Sequence, residues 1–218
     1  MAGGAGNDVI SGGSGLDTVS YLGAAAGGVT VRLDLGTATG SAGADTLSGF
    51  ENAIGSTGSD RIVGTALNNV LVGADGDDLL FGGGSYDSLV GQNGIDRLFG
   101  DAGNDILAGG ADNDFLIGGQ GSDLMIGGAG ADQFVFGVIN DLGGADRILD
   151  FQVGVDKLVI GQLPGGGPGT LPLISFEAAA NGTTLVSVDL GGATLFEINV
   201  LSLGGTISQS DILFSFNG

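Results

Sequence analysis

Residues Gly55–Val135 divide without a gap into nine nonapeptides: GSTGSDRIV (55–63), GTALNNVLV (64–72), GADGDDLLF (73–81), GGGSYDSLV (82–90), GQNGIDRLF (91–99), GDAGNDILA (100–108), GGADNDFLI (109–117), GGQGSDLMI (118–126) and GGAGADQFV (127–135). Every unit opens with Gly, and position six runs Asp60, Asn69, Asp78, Asp87, Asp96, Asp105, Asp114, Asp123 and Asp132. Position eight is always large and apolar: Ile62, Leu71, Leu80, Leu89, Leu98, Leu107, Leu116, Met125 and Phe134. Positions seven to nine are too few for a helix but suit a short strand whose middle side chain points inward. The Gly-rich first six residues read as a tight turn, with backbone conformations that only Gly adopts cheaply. One strand and one turn make half a coil, so two nonapeptides make a full coil.

Position six of one unit then lies beside position six two units later, roughly 4.8 Å away. The expected pairs are Asp60–Asp78, Asp78–Asp96, Asp96–Asp114 and Asp114–Asp132 on one edge, and Asn69–Asp87, Asp87–Asp105 and Asp105–Asp123 on the other. Like charges at that spacing repel strongly when partly desolvated. If the aspartates only capped turns through their own backbone, such acidic rows would have no reason to stay in register. A hard divalent cation resolves the repulsion, because carboxylates and turn carbonyls together supply the six or more oxygens that calcium prefers; magnesium demands a tighter octahedron. Residues 55–135 hold twelve Asp and two Arg, hence a charge of −10, against +14 for seven calcium ions, one per pair. The carbonyls expected to contribute are those of Gly58, Gly76, Gly94, Gly103, Gly121 and Gly130. Asn69, with Leu67 in place of the usual fourth-position Gly, marks the weakest expected site.

The array resembles the GGxGxDxUx repeat of the RTX family, a calcium-binding parallel β-helix. That resemblance implies an all-β fold: a right-handed parallel β-roll over residues 1–136, then a β-rich, antiparallel sandwich-like cap over 137–218. Two further nonapeptides, GGAGNDVIS (3–11) and GGSGLDTVS (12–20), place Asp8 and Asp17 at position six. They form one coil, which needs help from the next segment to make a site. An insertion at about 21–39 breaks the register, and GVTVRLDLG (28–36) within it alternates as a half-buried strand through Val29, Val31, Leu33 and Leu35. The register returns at GSAGADTLS (40–48), with Asp45 as a further candidate ligand. In GFENAI (49–54), Glu51 and Asn52 either complete a calcium site or cap the roll. Tyr86 and Ile95 sit in turns where small or polar residues are usual, either facing a missing neighbour or as tolerated exposed groups.

Beyond the array, DRILDFQVGVDKLVI (146–160) resembles the segment after the roll in serralysin-type metalloproteases and mannuronan C5-epimerase R modules. Gln162–Pro172 is a Gly/Pro-rich loop, and turns at Asn181–Gly182 and Gly191–Gly192 define two β-hairpins. The close, GTISQSDILFSFNG (205–218), resembles the end of RTX domains. By that resemblance, residues from about Val159 to Gly218 carry a signal for export by ABC-type (type I) machinery, and a plain cap over the open end of the roll is compatible with it.

Composition sets further limits. With 25 acidic and five basic residues, the net charge of −20 disfavours nucleic acid and anionic membranes as partners. The absence of His removes His-based nucleophilic and zinc chemistry. No Cys is present, which fits export without oxidative folding. No apolar run is long enough to span a bilayer, and no secretory leader opens the chain. The sequence begins inside a repeat, which points to a piece of a longer chain with an upstream domain, Met1 being an expression start. No residue is assigned a catalytic or organic-cofactor role, since each close Asp pair is better explained as a metal site than as a glycosidase acid and base. The expected function is a non-catalytic calcium-binding domain of a protein secreted by a Gram-negative bacterium. The alternative is a polysaccharide- or surface-binding module; for it the array offers only Arg61, Arg97 and Tyr86. Ice binding would need regular Thr and Asn in the turns, and those positions vary.

Overall fold

The computed structural model describes residues 1–24, 27–136, 144–161, 173–178, 183–190, 193–203 and 205–214. The repeats generate strands β7 (Arg61–Val63), β8 (Val70–Asp75), β9 (Leu79–Gly84), β10 (Ser88–Asn93), β11 (Arg97–Ala102), β12 (Ile106–Ala111), β13 (Phe115–Gln120), β14 (Leu124–Ala129) and β15 (Gln133–Phe136). Before them come β1 (Val9–Ser11), β2 (Thr18–Ser20), β3 (Val29–Arg32), β4 (Thr37–Gly40), β5 (Gly43–Ser48) and β6 (Asn52–Ile54). After them come β16 (Ala145–Gln152), β17 (Lys157–Ile160), β18 (Leu173–Ala178), β19 (Thr183–Leu190), β20 (Ala193–Leu203), a single 3₁₀ turn (Gln209–Asp211) and β21 (Ile212–Phe214).

Strands alternate between two sheets, so each pairs in parallel with the strand two units away. Leu89 lies opposite Leu71 and Leu107, and Leu98 lies opposite Leu80 and Leu116, a register of eighteen residues. One sheet runs β1-β5-β4-β3-β7-β9-β11-β13-β15-β17-β21, and the other β18-β19-β20-β16-β14-β12-β10-β8-β6-β2. The strands from β8 to β14 are six residues long, so they run through positions seven to nine into the first three residues of the next unit, longer than the expected short strand. All nine position-eight side chains are fully buried between the sheets. One large apolar residue per strand makes a thin core for so many ordered residues.

The insertion adds a hairpin to one sheet. Strand β3 is parallel to β7 and antiparallel to β4, which is antiparallel to β5. Val29 and Val31 are buried as expected, but the strand ends at Arg32, and Leu35 is 64 % exposed in the turn that follows. At the other end, β18, β19 and β20 form an antiparallel meander, and β20 joins β16 in parallel. The cap therefore continues the roll's own sheet. The expected loop 162–172 and the turns at 181–182 and 191–192 lie outside the described residues. Among the described residues, no helix is long and apolar enough to cross a membrane.

Candidate metal-binding rows

Each position-six side chain turns back into its coil and is buried, from Asp60 at 4 % exposure to Asp96 and Asp132 at 0 %. From Asp78 and Asp87 onward its Oδ1 accepts the main-chain N–H of the position-six residue one coil earlier. Asp60 donates to Asp78 (2.7 Å), Asp78 to Asp96 (2.8 Å), Asp96 to Asp114 (2.9 Å) and Asp114 to Asp132 (2.9 Å). On the opposite edge, Asn69 donates to Asp87 (2.7 Å), Asp87 to Asp105 (2.8 Å) and Asp105 to Asp123 (2.8 Å). All seven pairs read from the repeat are thus in contact.

The second oxygen is different. Oδ2 of Asp78, Asp87, Asp96, Asp105, Asp114, Asp123 and Asp132 is buried with no hydrogen-bond partner. Burial pushes the Asp78 carboxyl up to about 8, against the pull of the Asp60 N–H, and neighbouring Asp96, Asp60 and Asp77 add to the rise. The same dominant cause takes Asp96, Asp105 and Asp114 up to about 7, and Asp87 and Asp132 up to about 6. Buried charge without a partner is costly unless a metal or counter-ion meets it. The ion pairs Arg32–Asp34 and Lys157–Asp211 involve none of the seven.

Backbone geometry marks the same turns. In each of these seven units both position two and position four have positive φ: Ala74 and Gly76, Gly83 and Ser85, Gln92 and Gly94, Asp101 and Gly103, Gly110 and Asp112, Gly119 and Gly121, Gly128 and Gly130. One earlier unit shares this open turn, at Gly13 and Gly15, and its Asp17 Oδ2 is likewise unpaired. In the units beginning at Gly55 and Gly64, position two keeps an ordinary φ and its N–H closes on the carboxylate or amide: Ser56 to Asp60 Oδ2 (2.5 Å) and Thr65 to Asn69 Oδ1 (2.6 Å). The sequence carries a signal for this division that the repeat reading passed over. Ser56 and Thr65 are hydroxylated at position two and their hydroxyls also reach Asp60 and Asn69, whereas open turns carry Gly, Ala, Gln or Asp there.

Turn carbonyls point from one coil toward the next. A Cβ at Gly94 would fall 2.2 Å from the Gly76 oxygen, and one at Gly121 would fall 1.6 Å from that of Gly103. The carbonyls of Ser85 and Asp112 occupy equivalent places below Gly103 and Gly130, so non-Gly fourth positions belong to these rows too. Gly58, in a closed turn, instead accepts the Ser56 hydroxyl at 3.4 Å. Among the described residues no three acidic side chains converge on one point, so an ion between coils would draw its remaining oxygens from these carbonyls.

The rows extend past the array at both ends. Asp8 N–H donates to Asp45 Oδ1 and Asp17 N–H to Glu51 Oε2, both at 2.9 Å, so the later segment does complete the first coil. At the far end Asp123 donates to Asp146 (2.9 Å), Asp132 to Asp156 (3.1 Å) and Gly154 to Asp211 (3.1 Å). Repeat spacing missed Asp146, Asp156 and Asp211, because insertions stretch the interval beyond eighteen residues. The Asp156 carboxylate is closed by the Gln152 N–H at 2.7 Å. Burial acts to raise the Asp211 carboxyl, but hydrogen bonds from Ser208 and Gly154 and the charge of Lys157 outweigh it and bring the group below its ordinary range.

No curated protein matches the chain significantly. Among solved structures, the AlgE6R3 subunit of the Azotobacter vinelandii mannuronan C5-epimerase, determined in solution, is 24 % identical over 72 % of this chain and 78 % of that one, with a TM-score of 0.23. The family described as RTX calcium-binding nonapeptide repeat (4 copies) matches residues 1–22, 37–53, 54–89, 87–116, 99–134 and 109–142, well over half of the sequence. The protein is a calcium-binding β-roll domain and belongs to the RTX nonapeptide-repeat family.

Proposed function

We propose that the domain is a non-catalytic folding module of a secreted protein, whose open-turn array from Asp78 to Asp132 is extended where free calcium is scarce and folded where it is abundant. The observation that carries this reading is the set of seven buried, unpaired Oδ2 atoms, one in each open turn of the array. The residues that would hold calcium are Asp78, Asp87, Asp96, Asp105, Asp114, Asp123 and Asp132, with the position-four carbonyls. Calcium bound there supplies positive charge and oxygen coordination between successive coils. Without it the rows repel, and one apolar side chain per strand does not hold the array together, so ligand binding and folding share one free energy. An unfolded acidic chain suits passage through type I export machinery, and residues from about Val159 to Gly218 are assigned the signal for it.

Far-UV circular dichroism during a calcium titration, with EDTA reversal and a magnesium control, tests the reading. The bulk of the β signal is expected to appear cooperatively with calcium and not with magnesium. An array that is fully folded in EDTA would sink it.

One observation favours a second role, as a polysaccharide-binding module. The outer face of one sheet carries a strip in which Phe81 and Phe99 stack at 4.8 Å between centroids, Phe115 follows at 6.4 Å from Phe99, and the Arg61 guanidinium lies 4.9 Å above Phe81. The eighteen-residue register sets Phe99 beside Phe81, while Phe115 lies opposite Arg97 and meets Phe99 on the diagonal. Half-exposed rings beside guanidinium groups suit the apolar faces and carboxylates of an acidic sugar chain. Affinity electrophoresis through a uronate polymer would show a retardation that Phe99→Ala abolishes; equal mobility of the two proteins removes this reading.

A further inference from the structure

The N-terminal end of the rows is built on a different principle from the array. At three successive position-six sites, donors of the chain itself occupy the place left unpaired in the open turns. Asp45 Oδ2 accepts the Tyr21 hydroxyl at 2.8 Å. Tyr21 is completely buried, and its ring packs so closely under Gly3 that a Cβ there would fall 2.2 Å from a ring carbon. Asp60 is surrounded by three donors: the Ser56 N–H on Oδ2, and the Ser56 hydroxyl (2.8 Å) and Val29 N–H (2.6 Å) on Oδ1. Both oxygens of this carboxylate thus have donors from the chain itself, and neither is left bare. Asn69 carries no charge, and its Nδ2 donates to the Glu51 carbonyl at 2.6 Å. That carbonyl is available because the Val70 N–H turns to Asn52 Oδ1 instead, at 2.8 Å. Asp17 is the one acidic side chain in this region with an unpaired buried oxygen.

We propose that residues 27–69, held on the first coil by Tyr21, form a calcium-independent seed for the roll, an inference that rests on the calcium reading of the array. The seed presents β6 and β7 as finished strands, one in each sheet, and β8 and β9 add to them in register. The array therefore does not begin from an unstructured chain when calcium arrives. It extends a template already in place, and the costly closure of the first coil precedes ion binding. Asp45, Asp60 and Asn69, which the repeat assigns as ligands, act as closures of this seed.

Hydrogen exchange by mass spectrometry on the whole chain, in EDTA and in calcium, separates this inference from the reading beneath it. The expected result is that amides of Val29–Val63 stay protected in EDTA, while those of Leu79–Phe134 exchange freely and gain protection with calcium. Free exchange of both regions in EDTA, with protection of both in calcium, overturns the seed and leaves the calcium reading standing. Equal protection of the array in both conditions overturns the two together. Tyr21→Phe keeps the ring and removes the hydroxyl; it is expected to lower protection at Asp8 and Thr46 in EDTA by about tenfold, the effect of one buried hydrogen bond. Unchanged protection in that variant would mean that the hydroxyl closes nothing.

Discussion

Replacing Asp96 by Asn is expected to have opposite effects with and without calcium. Asp96 is fully buried in an open turn; its Oδ1 accepts the Asp78 N–H, its own N–H donates to Asp114, and its Oδ2 has no partner. In EDTA near neutral pH, the substitution removes a buried charge flanked by two others and keeps the Oδ1 acceptor. Burial, opposed by the Asp78 N–H, takes the Asp96 carboxyl from 3.8 up to about 7. That shift corresponds to roughly 4 kcal/mol at most. Solvent entering the turn of a metal-free roll screens the charge, and about 2 kcal/mol of stabilisation is a realistic expectation. In calcium the same change deletes a charged ligand and removes coupling to the ions on both sides. Stability should then fall by about 3–5 kcal/mol, the usual effect of removing one partner of a buried charged contact. Far-UV circular dichroism in EDTA near neutral pH, where the variant should keep more β structure than the parent, and urea denaturation in about 10-fold excess calcium measure both signs. A variant destabilised equally in both conditions would refute the reasoning, since it would show Asp96 acting only as a hydrogen-bond acceptor.

Metal-free domain should be acid-stabilised. Asp78, Asp87, Asp96, Asp105, Asp114 and Asp132 have folded-state pKa values raised by burial to between about 6 and about 8, so the folded state binds more protons than the unfolded one. Their contribution is present below the unfolded pKa near 4 and is lost as pH rises through 6 to 8; circular dichroism of calcium-stripped protein should show β structure at pH 5 that fades by pH 8, and a flat profile would contradict the burial argument. Gln92→Gly should raise the melting temperature in calcium. Gln92 sits at φ +91°, where an L residue costs about 1–2 kcal/mol and Gly brings back about 0.5–1 of that through its chain entropy; a lower melting temperature would show that the Gln92 side chain contributes more than its backbone strain costs.

How much of this was legible depends on which property repeats. Period nine and the inward position eight are local features of the string, and they define two sheets, the eighteen-residue register and the seven contacts from Asp60–Asp78 to Asp105–Asp123. The length of the strands was not legible, because positions one to three are mostly Gly and small residues with no strand propensity; stacking on the coil below makes them extended. The outer strip was hidden for a related reason. Phe81, Phe99 and Arg61 are separated in the chain by turns, and only the register makes Phe81 and Phe99 neighbours. Leu35 shows the converse error: alternation continued through Leu33 and Leu35, but the main chain turned at Arg32 to begin the hairpin with β4.

The position-six residues illustrate the deeper limit. In sequence, Asp60 and Asp78 are the same residue at the same place in the same motif, and only their turns separate them. At Asp60 the preceding position two is Ser56, whose N–H and hydroxyl both face the carboxylate; at Asp78 it is Ala74 at φ +95°, which leaves Oδ2 bare. A β-branched residue such as Thr65 resists positive φ far more than Gly does, and Ser56 gains two hydrogen bonds by staying closed, so chemistry at position two decides what position six can do. In the proposed reading the unit of metal binding is therefore the turn and not the aspartate. Counting aspartates gives a list of candidates; within residues 55–135, counting turns with Gly, Ala, Gln or Asp at position two gives the ones left with an oxygen to offer. By that count the array's open sites begin at Asp78, and the coils before it are built to stand while those sites are still empty of charge compensation.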